Sequence, residues 1–312
     1  MTNINKVLIT GALGHIGSGL IQYLDKHSNN LQLVITDNLL TQRFSSLFNL
    51  TSNVTSFHQL DTRDPAIEEL VQDSDLVIHL SAVTDATSSI DNPKEVFINN
   101  LESTKNIVDV CGKLEKYLIF PSSTSVYGKQ DLQVDETCIN LNPQSPYAEC
   151  KLEEENLILK YKQPKFIALR LGTIHGISPG MRFHTAVNKF CFQAVYGQKI
   201  SIWKSAFDQV RPYLATQDLY HNLNTLVANP SLIENADLLN VVSSNSTPRI
   251  ITEIIKENIK DIQLEFVEEP IMNQFSYEVL NSRSLEAGFK YSNRIKIDIQ
   301  ETLDLLRIKH DG

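Results

Sequence analysis

Short apolar runs and amphipathic segments alternate through the first half of the chain. Six runs are apolar nearly throughout and rich in branched or aromatic residues, which is typical of strands buried on both faces of a sheet. These runs are residues 6–10, 31–36, 54–60, 75–80, 117–120 and 166–171. Apolar residues at helical spacing fill the segments between them. This alternation predicts right-handed βαβ units and a parallel sheet covered on both sides.

After about residue 173 the alternation of predicted strands and helices is less regular. The pattern predicts helices over 185–196 and 217–227, a short strand over 200–203, and a helix that starts at Pro248 with Thr247 as its N-cap. We therefore expect an α/β fold: a Rossmann-type doubly wound parallel sheet, followed by a smaller mixed C-terminal substrate lobe. The expected domains are 1–172, with 205–245 returning to it, and 173–312.

Composition narrows the classes of partner. The 312 residues carry a formal net charge of −9, which argues against nucleic acid and against an anionic membrane surface. An anionic small molecule stays possible as a ligand, because backbone N–H groups and one arginine at a binding site can outweigh the diffuse negative field of the whole protein. The four cysteines have no C-x-x-C spacing, and we find neither a signal-peptide pattern nor a transmembrane run. These features favour a cytoplasmic protein with free thiols.

The stretch TGALGHIG, residues 10–17, follows the first predicted strand and opens the first helix. Gly11, Gly14 and Gly17 suit a turn whose backbone approaches a pyrophosphate at a helix N-terminus. A simple tight turn is the alternative. Asp37 ends the second predicted strand, where a carboxylate can bind a ribose diol and would repel a 2′-phosphate. Together these residues predict a nucleotide site that prefers NAD to NADP.

A second group of polar residues lies further along the chain. SSTSVYG, residues 122–128, follows the fifth predicted strand, and SPYAECK, residues 145–151, opens a helix. Tyr147 and Lys151 are four residues apart and so share one helix face. A neighbouring ammonium group lowers a tyrosine pKa, and a serine could donate to the same substrate oxygen. This combination predicts proton abstraction from an alcohol beside a nicotinamide.

In these motifs the chain resembles the NAD-dependent epimerase/dehydratase family of extended short-chain dehydrogenases/reductases, and particularly its nucleotide-sugar epimerases of the UDP-glucose 4-epimerase type. Further similar segments are TDNL, LDTRD, HLSAVT, NNLEST and VRPYLATQD. The resemblance implies that Ser123, Tyr147 and Lys151 are catalytic. It implies cofactor contacts from Gly11, Gly14, His15, Ile16, Gly17, Asp37, Asn38, Asp61, Thr62, Leu80, Ser81, Ala82, Asn100, Tyr147 and Lys151. It implies substrate contacts from Thr84, Thr124, Ser125, Thr173, Arg182 and Arg211, with Arg211 on a diphosphate.

Departures from the family pattern bear on the reaction. Thr124 and Ser125 stand where 4,6-dehydratases of the family carry an Asp-Glu pair, and Ser125 stands where its decarboxylases keep a glutamate. Both reactions are therefore disfavoured. Thr173 replaces a substrate-contacting asparagine. The segment FVEEPIMNQ, residues 266–274, lacks the second diphosphate-binding arginine, so either Arg182 or Arg283 takes that role or the substrate is less anionic than a UDP-sugar.

Three functions follow from this interpretation. The leading hypothesis is an NAD-dependent epimerase of a nucleotide sugar, acting through a transient 4-keto intermediate. The alternatives are an NAD-dependent dehydrogenase or reductase of a sugar or other small carbonyl compound, and a non-enzymatic NAD-binding sensor. We expect no metal site, a solvated helix face over residues 151–156, a buried structural role for His79, and a homodimer.

Overall fold

The computed structural model describes residues 3–28, 30–48, 50, 52–84, 93–130, 133–161, 163, 165–268 and 277–307. Seven parallel strands form its central sheet. They are β1 (Lys6–Thr10), β2 (Gln32–Asp37), β3 (Val54–Gln59), β4 (Leu76–His79), β5 (Tyr117–Ser123), β6 (Phe166–Leu171) and β10 (Leu238–Val241). Their order across the sheet is β10-β6-β5-β4-β1-β2-β3. The order reverses between β1 and β4, which makes their carboxyl ends the place where such sheets bind ligands.

Helices cover both faces of this sheet. They are α1 (His15–His27), α2 (Ile67–Gln72), α3 (Pro93–Lys113), α4 (Pro146–Tyr161), α6 (Thr216–Ala228) and α7 (Ser231–Asn235). Successive residues of a strand point to opposite faces, so Val7 and Ile9 pack with α1 and α6 while Leu8 packs with α2 and α3. This double burial explains why the inner strands are apolar nearly throughout. The edge strand β3 differs from the expectation for residues 54–60, because it is only partly buried and more than half of its residues are polar.

The remaining elements build a smaller lobe at the carboxyl edge. Its strands are β7 (Thr173–His175), β8 (Ile200–Trp203), β9 (Arg211–Ala215), β11 (Ser244–Ser246) and β12 (Leu264–Val267). Its helices are α5 (Ala186–Val195), α8 (Pro248–Asn258), α9 (Ser282–Glu286) and α10 (Ile295–Arg307). The side chain of Thr247 caps α8 by accepting a hydrogen bond from the Ile250 N–H at 3.2 Å. A separate apolar core lies between α5, α8 and α10.

The predicted fold class is confirmed: a doubly wound parallel sheet carries a mixed C-terminal lobe. The strand β10 and the helix α6 lie within residues 205–245 and belong to the layers of the large sheet. The exact domain boundaries stay a prediction. Within the described ranges, every helix is too short or too polar to cross a lipid bilayer.

Candidate active site

The glycine loop between β1 and α1 is shaped to receive a phosphate group. Gly11 has a φ of +61°, and a Cβ there would lie 2.7 Å from the Leu80 backbone. The helix α1 begins at His15 behind Gly14, and no side chain in the described ranges caps this end. Its first turn also contains no acidic residue. The first N–H groups and the positive end of the helix dipole are therefore available to an anion such as a pyrophosphate.

The segment after β7 closes over this loop. The ring nitrogen Nε2 of His15 lies 3.0 Å from the carbonyl oxygen of Gly176, and burial lowers the pKa of His15 to about 4. The Gly180 N–H donates to the Ser18 hydroxyl at 2.8 Å, and Arg43 donates to the Gly180 carbonyl. The glycine loop is thus held between the large sheet and the C-terminal lobe.

Asp37 lies beside the glycine loop at the end of β2. Its carboxylate accepts hydrogen bonds from the Leu13 N–H at 3.1 Å and from the Leu39 N–H at 2.9 Å. These bonds hold a negative charge next to the loop. A carboxylate there suits a ribose diol and disfavours a ribose phosphate.

A cavity of about 600 Å³ opens next to Asn38 and Asp61, at the ends of β2 and β3. Asn38 donates to the Asp61 carboxylate at 2.9 Å, and hydrogen bonds from Arg63 hold the pKa of Asp61 well below its usual range. The polar lining and volume suit the adenosine half of a dinucleotide. The side chain of Thr62 is buried against Ser103 of α3, with the two hydroxyl oxygens 2.5 Å apart, and its predicted contact with the cofactor stays a prediction.

The loop after β4, which carries Leu80, Ser81 and Ala82, crosses the carboxyl edge of the sheet next to the glycine loop. Asn100 is fully buried and holds this loop. Its Oδ1 accepts from the Val83 N–H at 2.8 Å, and its Nδ2 donates to the Val83 carbonyl at 3.0 Å. In the structure Asn100 is thus an anchor for the loop, and its predicted contact with the cofactor stays a prediction.

Ser123, Tyr147 and Lys151 meet where β5 ends. Ser123 is the last residue of β5, and its hydroxyl lies close enough to Tyr147 to lower the pKa of the phenol. Tyr147 lies in the first turn of α4, and Lys151 follows one turn later on the same face. The three predicted catalytic side chains therefore form one cluster, and their roles stay predictions.

Burial governs the ionisation of Tyr147. It raises the pKa of the phenol above its ordinary value. The Lys151 ammonium and the Ser123 hydroxyl lower this pKa, whereas the negative charge of Glu154 raises it. The predicted lowering effect of Lys151 is present, but burial outweighs it in the protein alone. Tyr147 is therefore protonated at neutral pH before any ligand binds.

Lys151 is buried and has several partners. Its Nζ lies 3.0 Å from Glu154 Oε2, donates to the Pro121 carbonyl at 3.3 Å, and stands 4.7 Å from the centre of the Phe120 ring. Burial lowers the pKa of Lys151, whereas Glu154 and Tyr147 raise it. Together the two raising effects are larger, so the pKa lies above its ordinary value. The side chain is therefore a fixed ammonium ion.

The interpretation of residues 151–156 as a solvated helix face is wrong. Glu154 and Glu155 are buried, and only Glu153 and the last residue of the run are exposed. Glu155 forms an ion pair with the buried Arg170 at 2.5 Å. The helix α4 packs against both α3 and the sheet, so paired charges lie where the sequence pattern suggested solvent.

Thr124 and Ser125, two of the predicted substrate-binding residues, directly follow Ser123 of this cluster. The buried hydroxyl of Thr124 donates to the Leu171 carbonyl at 3.2 Å and lies close enough to Tyr277 to lower the pKa of that phenol. Tyr277 also contacts Arg211, whose guanidinium lies 5.7 Å from the ring centre. Ser125 donates to the Ser123 hydroxyl at 2.8 Å. Tyr277 therefore lies between Arg211 and Thr124, the residue that follows Ser123 in the chain.

The other predicted substrate residues are more dispersed. Thr173 begins β7 and is half-buried. Arg182 donates to the hydroxyl of Thr84, and its charge acts on Arg43 beside the glycine loop. Arg283 instead pairs with Asp237 at 3.7 Å, just before β10 begins.

The sheet is parallel, so Arg283 faces its amino edge, opposite to Tyr147. This position of Arg283 favours Arg182 as the second diphosphate ligand, and that role stays a prediction. In the segment where the family carries that arginine, Glu268 lies 3.9 Å from Lys204, and Glu269 and Pro270 lie outside the described residues.

Sequence reasoning missed four residues of the site. Glu154 stands three residues after Lys151 and seven after Tyr147, so helical spacing already placed it on the same face. Thr104 belongs to a quoted family motif and donates to Glu154 at 2.5 Å. No sequence motif marks Gly180 or Tyr277, because each contacts the site only after segments distant in the chain have come together in the fold. The described residues contain no cluster of three or more potential metal ligands.

Comparison with known proteins agrees with this arrangement. The model of the NAD dependent epimerase/dehydratase family matches residues 7–241. A UDP-glucose epimerase of Bacillus subtilis, described as uncharacterized, is 27% identical over 76% of this chain and 80% of its own length. The UDP-glucose 4-epimerase of Schizosaccharomyces pombe is 31% identical over 51% of this chain and 48% of its own.

Solved structures share the fold over nearly the whole chain. The UDP-N-acetylglucosamine 4-epimerase of Methanobrevibacter ruminantium, in complex with UDP-N-acetylmuramic acid, has a TM-score of 0.83 at 23% identity. That alignment covers 99% of this chain and 100% of the other. The UDP-glucuronic acid 4-epimerase of Bacillus cereus, in complex with UDP-glucuronic acid and NAD, has a TM-score of 0.83 at 24% identity, covering 98% and 100%. The chain therefore belongs to the NAD dependent epimerase/dehydratase family, whose enzymes work with the cofactor that the glycine loop and Asp37 predict.

Proposed function

We propose that this enzyme is a nucleotide-sugar 4-epimerase that keeps its cofactor bound and passes through a transient 4-keto sugar. The observation that carries the proposal is the composition of the loop beside Tyr147. Ser123, Thr124 and Ser125 present hydroxyl groups there, and none of them can act as an acid or base near neutral pH.

Each residue of the cluster has its own role in the proton transfer. Tyr147, once ionised, takes the proton of the sugar hydroxyl while Ser123 donates a hydrogen bond to the same oxygen. Lys151 stabilises the phenolate through its positive charge. Bound NAD supplies a hydride acceptor that can return the hydride. Return to the opposite face of the keto sugar gives the epimer.

The carboxylates near the site support a reaction without elimination. Glu154 and Glu155 are buried, and they pair with Lys151 and Arg170 respectively. Neither is available to expel water from a sugar or to assist loss of carbon dioxide. The machinery moves a hydride and a proton, so the sugar keeps all its atoms.

A nucleotide diphosphate fits the cationic side of the cluster. Arg211, joined to Thr124 through Tyr277, offers a guanidinium group for phosphate oxygens. Arg182 is the remaining candidate for a second contact. The names of relatives point the same way, because they are epimerases of UDP-glucose, UDP-N-acetylglucosamine and UDP-glucuronic acid.

The test is to incubate purified protein with these three UDP-sugars without added coenzyme and to analyse the products by chromatography and mass spectrometry. We expect NAD to co-purify and one sugar to give an isomer of identical mass without accumulation of NADH. A product lighter by water or carbon dioxide contradicts the loop argument. Stoichiometric NADH formation favours a dehydrogenase instead.

A further inference from the structure

A chain of buried hydrogen bonds joins the strand before the glycine loop to Lys151. The Ser81 N–H donates to Thr10 Oγ1 at 3.3 Å, and Thr10 Oγ1 lies 2.8 Å from His79 Nδ1. On the other side of the ring, His79 Nε2 lies 3.3 Å from Thr104 Oγ1. Thr104 donates to Glu154 Oε1 at 2.5 Å. The second carboxylate oxygen of Glu154 then contacts Lys151.

The chain has only one consistent direction. The single hydroxyl proton of Thr104 is used on Glu154, so Thr104 must accept its bond from a protonated His79 Nε2. Burial and the charge of Lys151 lower the pKa of His79 to about 3, so the ring is neutral and its Nδ1 is unprotonated. Thr10 therefore donates to Nδ1. Every donor in the chain thus points toward the carboxylate, and the last one fixes Oε1 of Glu154 in place.

We propose that Glu154 is a positioning residue of the active site: its buried carboxylate fixes the Lys151 ammonium and opposes ionisation of the Tyr147 hydroxyl. This inference rests on the proposed function, in which Tyr147 exchanges a proton with the substrate. Glu154 itself is completely buried and touches neither a reacting atom nor solvent.

The electrostatics around the pair support this role. Tyr147, Lys151 and Glu154 lie on one face of α4, and the charge of Glu154 raises the pKa of Tyr147 and of Lys151. Of the other titratable groups near them, Cys150 is a thiol whose pKa burial raises to about 12, and His79 is neutral. The Arg170 guanidinium on β6 is neutralised by Glu155. Glu154 is therefore the carboxylate that partly cancels the effect of Lys151 on Tyr147.

The experiment follows the phenolate of Tyr147 in the NAD-bound protein. Its ultraviolet absorbance is titrated against pH, and each variant is read as the difference from the same variant carrying Tyr147→Phe. Glu154→Gln keeps the shape and the acceptor for Thr104 but removes the charge. We expect the titration midpoint of Tyr147 to fall by about one pH unit, since a like charge that opposed ionisation is gone.

The Glu154→Asp variant makes the result independent of how well Glu154→Gln folds. It keeps the charge but withdraws it by about one C–C bond, ~1.5 Å. Its midpoint should lie between those of the wild type and Glu154→Gln. A purely structural role of Glu154 would not produce this order, and an unchanged or raised midpoint in the folded variants overturns the proposal.

Neighbouring glutamates provide matched controls on the same helix. Glu153→Gln removes an exposed carboxylate, and Glu155→Gln removes a buried one that pairs with Arg170. Glu153→Gln should leave the Tyr147 midpoint unchanged, and an equal fall in that variant contradicts a specific role of Glu154. Glu155→Gln also uncovers the Arg170 charge, so its midpoint should fall less than that of Glu154→Gln, and an equal or larger fall contradicts the proposal as well. The titration needs no substrate, so it remains decisive even if every UDP-sugar fails to react and the proposed function falls. If a sugar does react, the acid limb of kcat/KM should shift down with the midpoint.

Discussion

Replacing Gly180 with alanine should weaken NAD binding without altering a catalytic side chain. A Cβ at this position would lie 2.3 Å from the Leu13 carbonyl oxygen and 2.6 Å from that of Gly14, whereas ordinary contact begins at 3.4 Å. Both sides of the clash are backbone, so the segment after β7 and the glycine loop must separate by roughly 1 Å.

The energetic cost follows from what holds the two segments together. The Gly180 N–H donates to Ser18 at 2.8 Å and its carbonyl accepts from Arg43, so both groups resist the displacement. Overpacking a close contact costs about 1–3 kcal/mol. If the glycine loop absorbs that strain, NAD affinity should fall by about 5- to 150-fold.

Isothermal titration calorimetry with NAD measures the effect, and Gly197→Ala is the control. Gly197 has a φ of +63° and nothing within 4 Å of an added Cβ, and it lies beyond the end of α5. Alanine there should cost about 1–2 kcal/mol of stability through its left-handed backbone but leave NAD affinity unchanged. Wild-type NAD affinity in a folded Gly180→Ala protein would refute the idea that this segment braces the cofactor loop.

Three further predictions concern the chemistry. Tyr147→Phe should lower kcat by about 10²- to 10⁴-fold while NAD affinity stays within about twofold. The control Tyr161→Phe, on the same helix, should keep full activity. Full activity in Tyr147→Phe would show that the assigned chemistry is wrong. Arg211→Ala should raise KM for a UDP-sugar by about 10- to 100-fold with little change in kcat. The control Arg283→Ala should leave KM unchanged. An unchanged KM in Arg211→Ala would indicate a substrate without a diphosphate. Calorimetry should show NAD(H) binding at least about tenfold more tightly than NADP(H), and Asp37→Asn should narrow the difference; equal affinities in the wild type would contradict the role of Asp37.

Six strands of the large sheet were predictable, because the inner ones are buried on both faces and the helices between them on one. The sequence missed β10 at the edge of this sheet, and it missed β7, β9, β11 and β12 of the smaller lobe. The missed strands are three to five residues long, and their pairing depends on partners far along the chain. The polar end of β5 was also missed. Ser122 and Ser123 continue the strand because their backbone pairs with Arg170 and Leu171 of β6, whatever the side chains are.

The cluster of Ser123, Tyr147 and Lys151 could be expected from spacing and resemblance, but its electrostatics could not. Three consecutive glutamates look alike in the sequence. In the fold, Glu153 reaches solvent while the other two are buried against different cations. Burial and partner decide what a carboxylate does to a neighbouring pKa, and neither can be deduced from a run of charges.

The position of these buried carboxylates bears directly on the reaction. A dehydratase needs an acid and a base that face the sugar, whereas the two residues after Ser123 are Thr124 and Ser125, whose hydroxyl groups donate to the Leu171 carbonyl and to Ser123. The nearby negative charge of Glu154 lies behind Lys151, where it acts on the ionisation of Tyr147 and is screened from the substrate by burial. Among the side chains described around Tyr147, the buried Glu154 and Glu155 are each paired with a cation, so neither offers a second acid or base to break a carbon–oxygen bond. This arrangement favours an isomerisation in which the hydride and the proton both return.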